Sequence, residues 1–189
     1  MKNSIIKFSI FAFLFIGFSC TKNRQAALFT LEKKSGINFA NTVVNTKDFN
    51  IFNYRNFYNG AGAAIGDINN DGLADVIMAS NQGANKLYLN KGNFNFDDIT
   101  EKAGIGENGK WNTGVVLADI NNDGWLDIYI CNAGIDKWEK NEGNALFINN
   151  HDLTFTNKAK EYGLDEKGFS THAAFFRSEE RRVGKECRL

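Results

Sequence analysis

Two nine-residue stretches hold the residue types best suited to chemistry. Asp67-Ile-Asn69-Asn-Asp71-Gly72-Leu73-Ala-Asp75 and Asp119-Ile-Asn121-Asn-Asp123-Gly124-Trp125-Leu-Asp127 place oxygen-bearing side chains at positions one, three, five and nine. A backbone carbonyl is available at position seven. Alternate residues of a tightly curled loop point toward one centre, and glycine at position six takes the sharp turn that a side chain would obstruct. Hard oxygen donors in this number suit Ca2+, whereas zinc or copper would call for His or Cys. The expected ligands are Asp67, Asn69, Asp71, the Leu73 carbonyl and Asp75, then Asp119, Asn121, Asp123, the Trp125 carbonyl and Asp127. Without a cation, carboxylates so close would repel one another and some would take up protons; with one, they become a cross-link.

The same spacing opens an EF-hand loop, but that motif needs a bidentate Glu at position twelve and a helix on each side. Position twelve is Met78 in one stretch and Ile130 in the other, and the flanks are rich in β-formers. The competing reading is a pair of Asx turns between strands, with no metal. Two stretches with the same four side-chain donors, each followed by an apolar run, favour the metal.

Stepping outward from the loops, the chain repeats. The phrase from Gly62 to Ser80 aligns with that from Gly114 to Asn132, and the phrase from Asn85 to Ile105 aligns with that from Asn144 to Leu164. The second offset is larger, which places an insertion within Ala133 to Gly143, a polar stretch containing Trp138. A third copy is expected to begin at Gly168, with Phe169 to Phe176 in register with Trp111 to Ala118; Arg177 then stands where the first aspartate of a third loop belongs. Short apolar runs bounded by Gly, Asn and Asp read as strands, Asn90 to Asn93 and Asn149 to Asp152 as hairpin turns, and Ile99 to Gly104 and Thr156 to Gly163 as single helical turns. Each unit is therefore strand, acidic loop, strand, hairpin, connector.

The GDINNDGLAD and ADINNDGWLD loops between strands resemble FG-GAP or VCBS repeats, the blades of the integrin-alpha-type β-propeller. The phrases FYNGAGAAIGDINNDG, NKLYLNKG, FDDITEKAGI and GLDEKGFSTHAAFF are similar to the cartilage-acidic-protein-like, ASPIC/UnbV-associated branch found in bacterial lipoproteins. The resemblance covers residues 36–176 and implies an all-β fold of propeller blades, with calcium bound in the loops joining the first two strands of each blade. Such propellers close with about four to eight blades, and this sequence supplies two and the start of a third, so an incomplete propeller with unpaired sheet edges is expected.

Both ends of the sequence read differently from its middle. Residues 1–20 carry Lys2 and Lys7 before the apolar run Phe8 to Phe18, too short to span a bilayer and the length of a signal-peptide core. Cys20 follows a small residue there, as in a bacterial lipoprotein signal, so lipidation of Cys20 is expected, with simple secretion as the alternative. Residues 21–35 form a polar tether. Residues 177–189 break from all that precedes them and resemble the in-frame translation of a sequencing-library adaptor, which marks them as a non-native tail.

The whole chain has 189 residues, 22 basic and 22 acidic, 18 Gly, 17 Phe, 3 Cys and no proline. That composition excludes a disordered chain, a collagen-like rod and a disulfide scaffold. Omitting residues 1–20 and 177–189 leaves 15 basic and 19 acidic residues, a domain of net charge −4 with no basic cluster, which argues against nucleic acid as a partner. Cys131 in an apolar run reads as a buried thiol, and His151 and His172, with no second ligand at useful spacing, as structural or surface residues. No nucleophile elbow, phosphate loop or separated acid–base pair is present. The expected protein is a non-enzymatic, calcium-binding repeat module of the cell envelope, lipid-anchored in the outer membrane or secreted. It acts in adhesion, ligand binding or scaffolding, with a protein or glycan ligand. A propeller portion of a polysaccharide-processing enzyme, or a carbohydrate-binding module using Trp111, Trp125 and Trp138, is the alternative.

Overall fold

A computed structural model describes residues 28–106, 109–133 and 143–176. The chain divides into residues 1–33 and residues 34–189. Every regular element lies in the second unit; the described residues 28–33 form none. Cys20, Trp138, most of the expected insertion and the tail from Arg177 lie outside the described residues.

Two antiparallel sheets of four strands make up the fold. The first runs β1 (Ala63–Gly66), β2 (Asp75–Met78), β3 (Lys86–Asn90) and β4 (Phe96–Asp98); the second runs β5 (Asn112–Ala118), β6 (Asp127–Asn132), β7 (Ala145–Asn149) and β8 (Phe155–Asn157). Spatial order follows chain order in both, so each sheet is a simple meander. Helix is limited, among the described residues, to one turn, α1 (Thr100–Ala103), closed by Gly104 in the left-handed region at φ 73°. The helical turn expected over Thr156 to Gly163 does not form: Thr156 and Asn157 belong to β8, and residues 159–163 make a hydrogen-bonded turn in which the Tyr162 N–H donates to the Lys158 carbonyl at 3.1 Å.

The register explains the stacking. Ala64 pairs with Ile77 and Ile77 with Leu87, which puts the three on one face of the first sheet. Val115 pairs with Ile130 and Ile130 with Ala145, while Leu117, Ile128 and Phe147 form the next row on the same face of the second sheet. These two faces meet in a shared core that also takes Ile68, Ala103 and Ile105. By the repeat alignment, Ala64, Ile77 and Leu87 correspond to Val116, Tyr129 and Leu146, which lie on the opposite face of the second sheet. One face of a unit thus packs on the other kind of face of the next, a head-to-tail stacking that a repeat can continue.

Close approach of the first strands depends on glycine. A Cβ on Gly62 would stand 2.6 Å from the Val115 backbone nitrogen, and one on Gly114 would stand 2.7 Å from the Thr171 carbonyl oxygen. The same contact therefore recurs between the second sheet and the segment after Gly168, in the register expected for the start of a third copy. That segment runs beside β5 without becoming a full strand: Ala133 bridges Phe169, and Thr113 Oγ1 donates to the Ser170 carbonyl at 2.7 Å.

Asparagines close the end of the sheets opposite the acidic loops. Asn85 Oδ1 accepts the Ser80 N–H at 3.0 Å, and Asn144 Oδ1 does the same for Asn132 at 2.7 Å. Asn112 reaches back from the second sheet, donating to the Ser80 carbonyl and to Asn85 Oδ1. Buried amides of this kind are tolerated when their bonds are made, as those of Asn85, Asn112 and Asn144 are, whereas the buried Asn132 Nδ2 has no partner. Beside them Phe49, Tyr54 and Phe57 pack around Trp111, with ring centroids 4.9–5.6 Å from the indole.

Candidate metal centres

The two acidic loops connect β1 to β2 and β5 to β6, and their internal hydrogen bonding is the same. In the first, Asp67 accepts the Asp71 N–H at 3.1 Å and the Gly72 N–H at 2.7 Å, one on each carboxylate oxygen. Asn69 Oδ1 also accepts the Asp71 N–H, Asn69 Nδ2 donates to Asp71 Oδ2 at 2.9 Å, and Asp71 Oδ1 accepts the Leu73 N–H at 2.8 Å. In the second loop Asp119, Asn121, Asp123, Gly124 and Trp125 repeat every one of these bonds within the same range of distances. Positions one, three and five are thus gathered around a single backbone N–H. Positive φ falls at position four, on Asn70 at 57° and Asn122 at 61°, and at position six, on Gly72 at 83° and Gly124 at 87°. Asparagine and glycine are the residues that enter the left-handed region at least cost.

The ninth position has a different setting. Asp75 is 1% exposed and Asp127 fully buried. Asp75 Oδ2 accepts the Ile68 N–H at 2.9 Å and Oδ1 accepts the Asn90 N–H at 2.7 Å; Asp127 holds Ile120 and Asn149 in the same way. Each therefore ties the start of its loop to the end of the third strand of its sheet. Burial pushes both carboxyls above the ordinary range, against the pull of those N–H donors, and the like charges of Asp71 and Asp67 add to the rise at Asp75. Asp71 sits below that range, held there by the Asn69 amide and the Leu73 N–H.

The donor chemistry fits a hard dication: oxygen only, from a carboxylate, an amide and a carboxylate at positions one, three and five. Each Asp75 oxygen accepts one backbone N–H, while the Asp127 carboxylate is bonded by the backbone of Ile120, Asn149 and Asn121. As the side chains stand, no group of three or more His, Cys, Asp or Glu among the described residues is close enough to hold a metal ion. The loops are ordered by their own hydrogen bonds, as the Asx-turn reading requires, and that ordering is compatible with a cation at their centre.

The loops are also neighbours. Asn70 Nδ2 donates to the Gly124 carbonyl at 3.1 Å, and Asn149 Nδ2, from the second sheet, donates to the Ile68 carbonyl at 2.8 Å. These asparagines carry no weight in the loop pattern, yet they join one repeat to the next. His151 is the other residue that spacing alone passed over. Expected as a structural or surface side chain, it stands over the second loop, with Nε2 3.0 Å from Asp123 Oδ2 and its ring stacked on Trp125 at 4.6 Å. This contact lowers the Asp123 carboxyl from its ordinary value, more than any other neighbour does. The clue in the sequence was the hairpin alignment, which sets His151 opposite Gly92.

Other singled-out residues fall where packing wants them. Trp111 is 2% exposed within its aromatic cluster, which removes it from any sugar-stacking face. Cys131 is a buried free thiol, its pKa raised by burial.

A meander of four strands with an acidic turn after its first strand, repeated with head-to-tail stacking, defines a class of repeat protein. Residues 67–130, from the first aspartate of one loop through the strand after the other, match the model of the FG-GAP-like repeat family, and the two four-stranded antiparallel sheets fit a β-propeller-type fold. Over 69 residues it is 39% identical to Cartilage acidic protein 1 of Xenopus tropicalis, 36% to that of Mus musculus and 35% to that of Homo sapiens. The matched stretch is 36% of this chain and 10–11% of each of those proteins, so the chain spans only a small part of the relatives it matches. No helix among the described residues is long and apolar enough to cross a membrane.

Proposed function

We propose that this chain is a calcium-binding β-propeller repeat module of an exported lipoprotein, serving adhesion, ligand binding or scaffolding rather than catalysis. The observation that carries the reading is the identical wiring of two adjacent oxygen-lined loops, at equivalent places in two stacked sheets. Asp67, Asn69, Asp71 and Asp75 would hold one ion and Asp119, Asn121, Asp123 and Asp127 the other, with the Leu73 and Trp125 carbonyls completing each set. Calcium would supply the charge that these carboxylates lack and fasten the first strand of each sheet to the second.

Extracellular sites of this kind bind calcium at roughly 10⁻⁴ to 10⁻³ M, a range that suits an exported protein. The signal-like residues 1–20 with Cys20 support the same address, with a lipid anchor as the membrane contact and a protein or glycan as the ligand. A ligand that binds only the folded state raises its melting temperature by mass action. Melting in calcium against chelator, with calorimetric titration, tests the proposal. The expected result is a higher Tm and two ions bound per chain, with uptake lost in Asp71→Ala/Asp123→Ala; no heat of uptake would overturn it.

A further inference from the structure

We propose that the second repeat carries a binding site for an acidic oligosaccharide, at the end of its sheet opposite the acidic loop. This names a ligand class within the reading of the chain as a ligand-binding module, and it does not depend on the metal sites. A cavity of about 570 Å³ opens there beside β7 and β8, lined by Lys110, Lys158, Lys160 and Lys167 together with Glu161 and Asp165. Sites for small molecules usually measure about 300–1,000 Å³. Lysine offers ammonium donors and no acceptor, so four lysines against two carboxylates give the cavity a positive balance. One of those carboxylates is already drawn to a lysine, with Glu161 Oε2 3.6 Å from Lys158 Nζ. Lys110 is 5% exposed, and a charge so withdrawn from water is little screened by salt.

The wall behind the lysines is built. Asn144, buried and lining the cavity, donates from Nδ2 to the Tyr129 hydroxyl and to Ser170 Oγ, both at 2.9 Å, and from its backbone N–H to the Glu166 carbonyl at 2.9 Å. Gly143 lets that strap close in, since a Cβ there would run into the Asp165 and Glu166 carbonyl oxygens. Asn157 Oδ1 accepts the Ala159 N–H, which leaves the Asn157 amide to donate. The first repeat supplies the comparison. It has Asp98, Ile99 and Glu101 at the places of Asn157, Lys158 and Lys160, and its cleft there is lined by Asp97, Asp98, Ile99, Glu101 and Lys102. The positive balance therefore belongs to the second repeat and not to the connector common to both. A bare anion in the cavity would be repelled by Glu161 and Asp165. A sugar acid suits both kinds of group: its carboxylate or sulfate faces lysine, and its hydroxyls donate to the carboxylates.

Calorimetric titration of the full chain in calcium-free buffer tests this, with trigalacturonate, a sulfated disaccharide, maltotriose and inorganic sulfate as probes. At least one acidic sugar should bind tenfold or more tighter than maltotriose and sulfate, and the two acidic probes tell carboxylate from sulfate. That affinity should weaken as salt is raised and fall at least tenfold in Lys160→Glu/Lys167→Glu. Both of those lysines are exposed, so the variant should keep the wild-type Tm; Lys160→Ser/Lys167→Ser serves in its place if it does not. Equal binding of maltotriose, saturation by sulfate alone, affinity unchanged in the double variant, or no binding of any probe overturns the proposal and leaves the calcium reading standing. Sugar binding with no calcium uptake overturns the calcium reading alone.

Discussion

At the scale of single residues, the four acidic or amide positions of each loop divide into two kinds. Asp71 and Asp123 are solvent-facing and bond only within their own loop and its hairpin, whereas Asp75 and Asp127 are buried ties between loop and strand. Asp75→Ala would orphan the Ile68 and Asn90 N–H groups. Each unsatisfied buried donor costs about 1–3 kcal/mol, so the variant should lose about 2–6 kcal/mol of stability even in chelator, read by denaturant unfolding. Asp71→Ala should leave the chelated Tm nearly unchanged and act only on ion uptake. Equal losses from the two variants in chelator would contradict the division. The Asp-x-Asn-x-Asp-Gly-x-x-Asp spacing showed which side chains cluster, because alternation along a curled loop is local. It did not show that the ninth position serves the backbone, since its partner, Asn90, comes from beyond the next strand.

At the scale of elements, the hairpin of β3 and β4 is braced by one ion pair, between Lys86 Nζ and Asp98 Oδ2 at 2.7 Å. Burial pushes the Asp98 carboxyl up, but the bonds from Lys86 and Thr100 outweigh it, and the pKa lies below the ordinary value. A depressed carboxyl stabilises the fold fully above the unfolded-state pKa and loses that contribution as pH falls through the folded one. Asp98→Asn should therefore flatten the acid limb of stability against pH, below about pH 4, and change Tm little at the lowest pH reached. Both side chains keep about a third or more of their surface in water, so the effect at neutral pH is at most about 1 kcal/mol. The strands themselves were readable from short apolar runs between Gly and Asn, and the single helical turn from TEKAG. The close packing of the first sheet's β1 edge against β5 was not, because at Gly62 it runs through backbone contact that no side-chain period announces.

At the scale of the whole molecule, stability rests on two sheets that bury unlike faces against each other. Gly62→Ala puts a methyl group against the Val115 nitrogen and the Gly114 backbone, where no flexible side chain can yield. Overpacking of this kind costs about 1–3 kcal/mol; a melting curve that matches wild type would show that the sheets can part without penalty. The repeated phrases by themselves determined the β class, the four-strand unit and the acidic loops, since period, turn residues and donor spacing are properties of neighbouring residues. Only the tertiary structure decided which faces meet, that Asn70 and Asn149 link adjacent repeats, and that His151 stands on one loop and not the other. Those contacts join residues 28 to 81 positions apart, and their partners are chosen by how two folded sheets stack rather than by any local pattern.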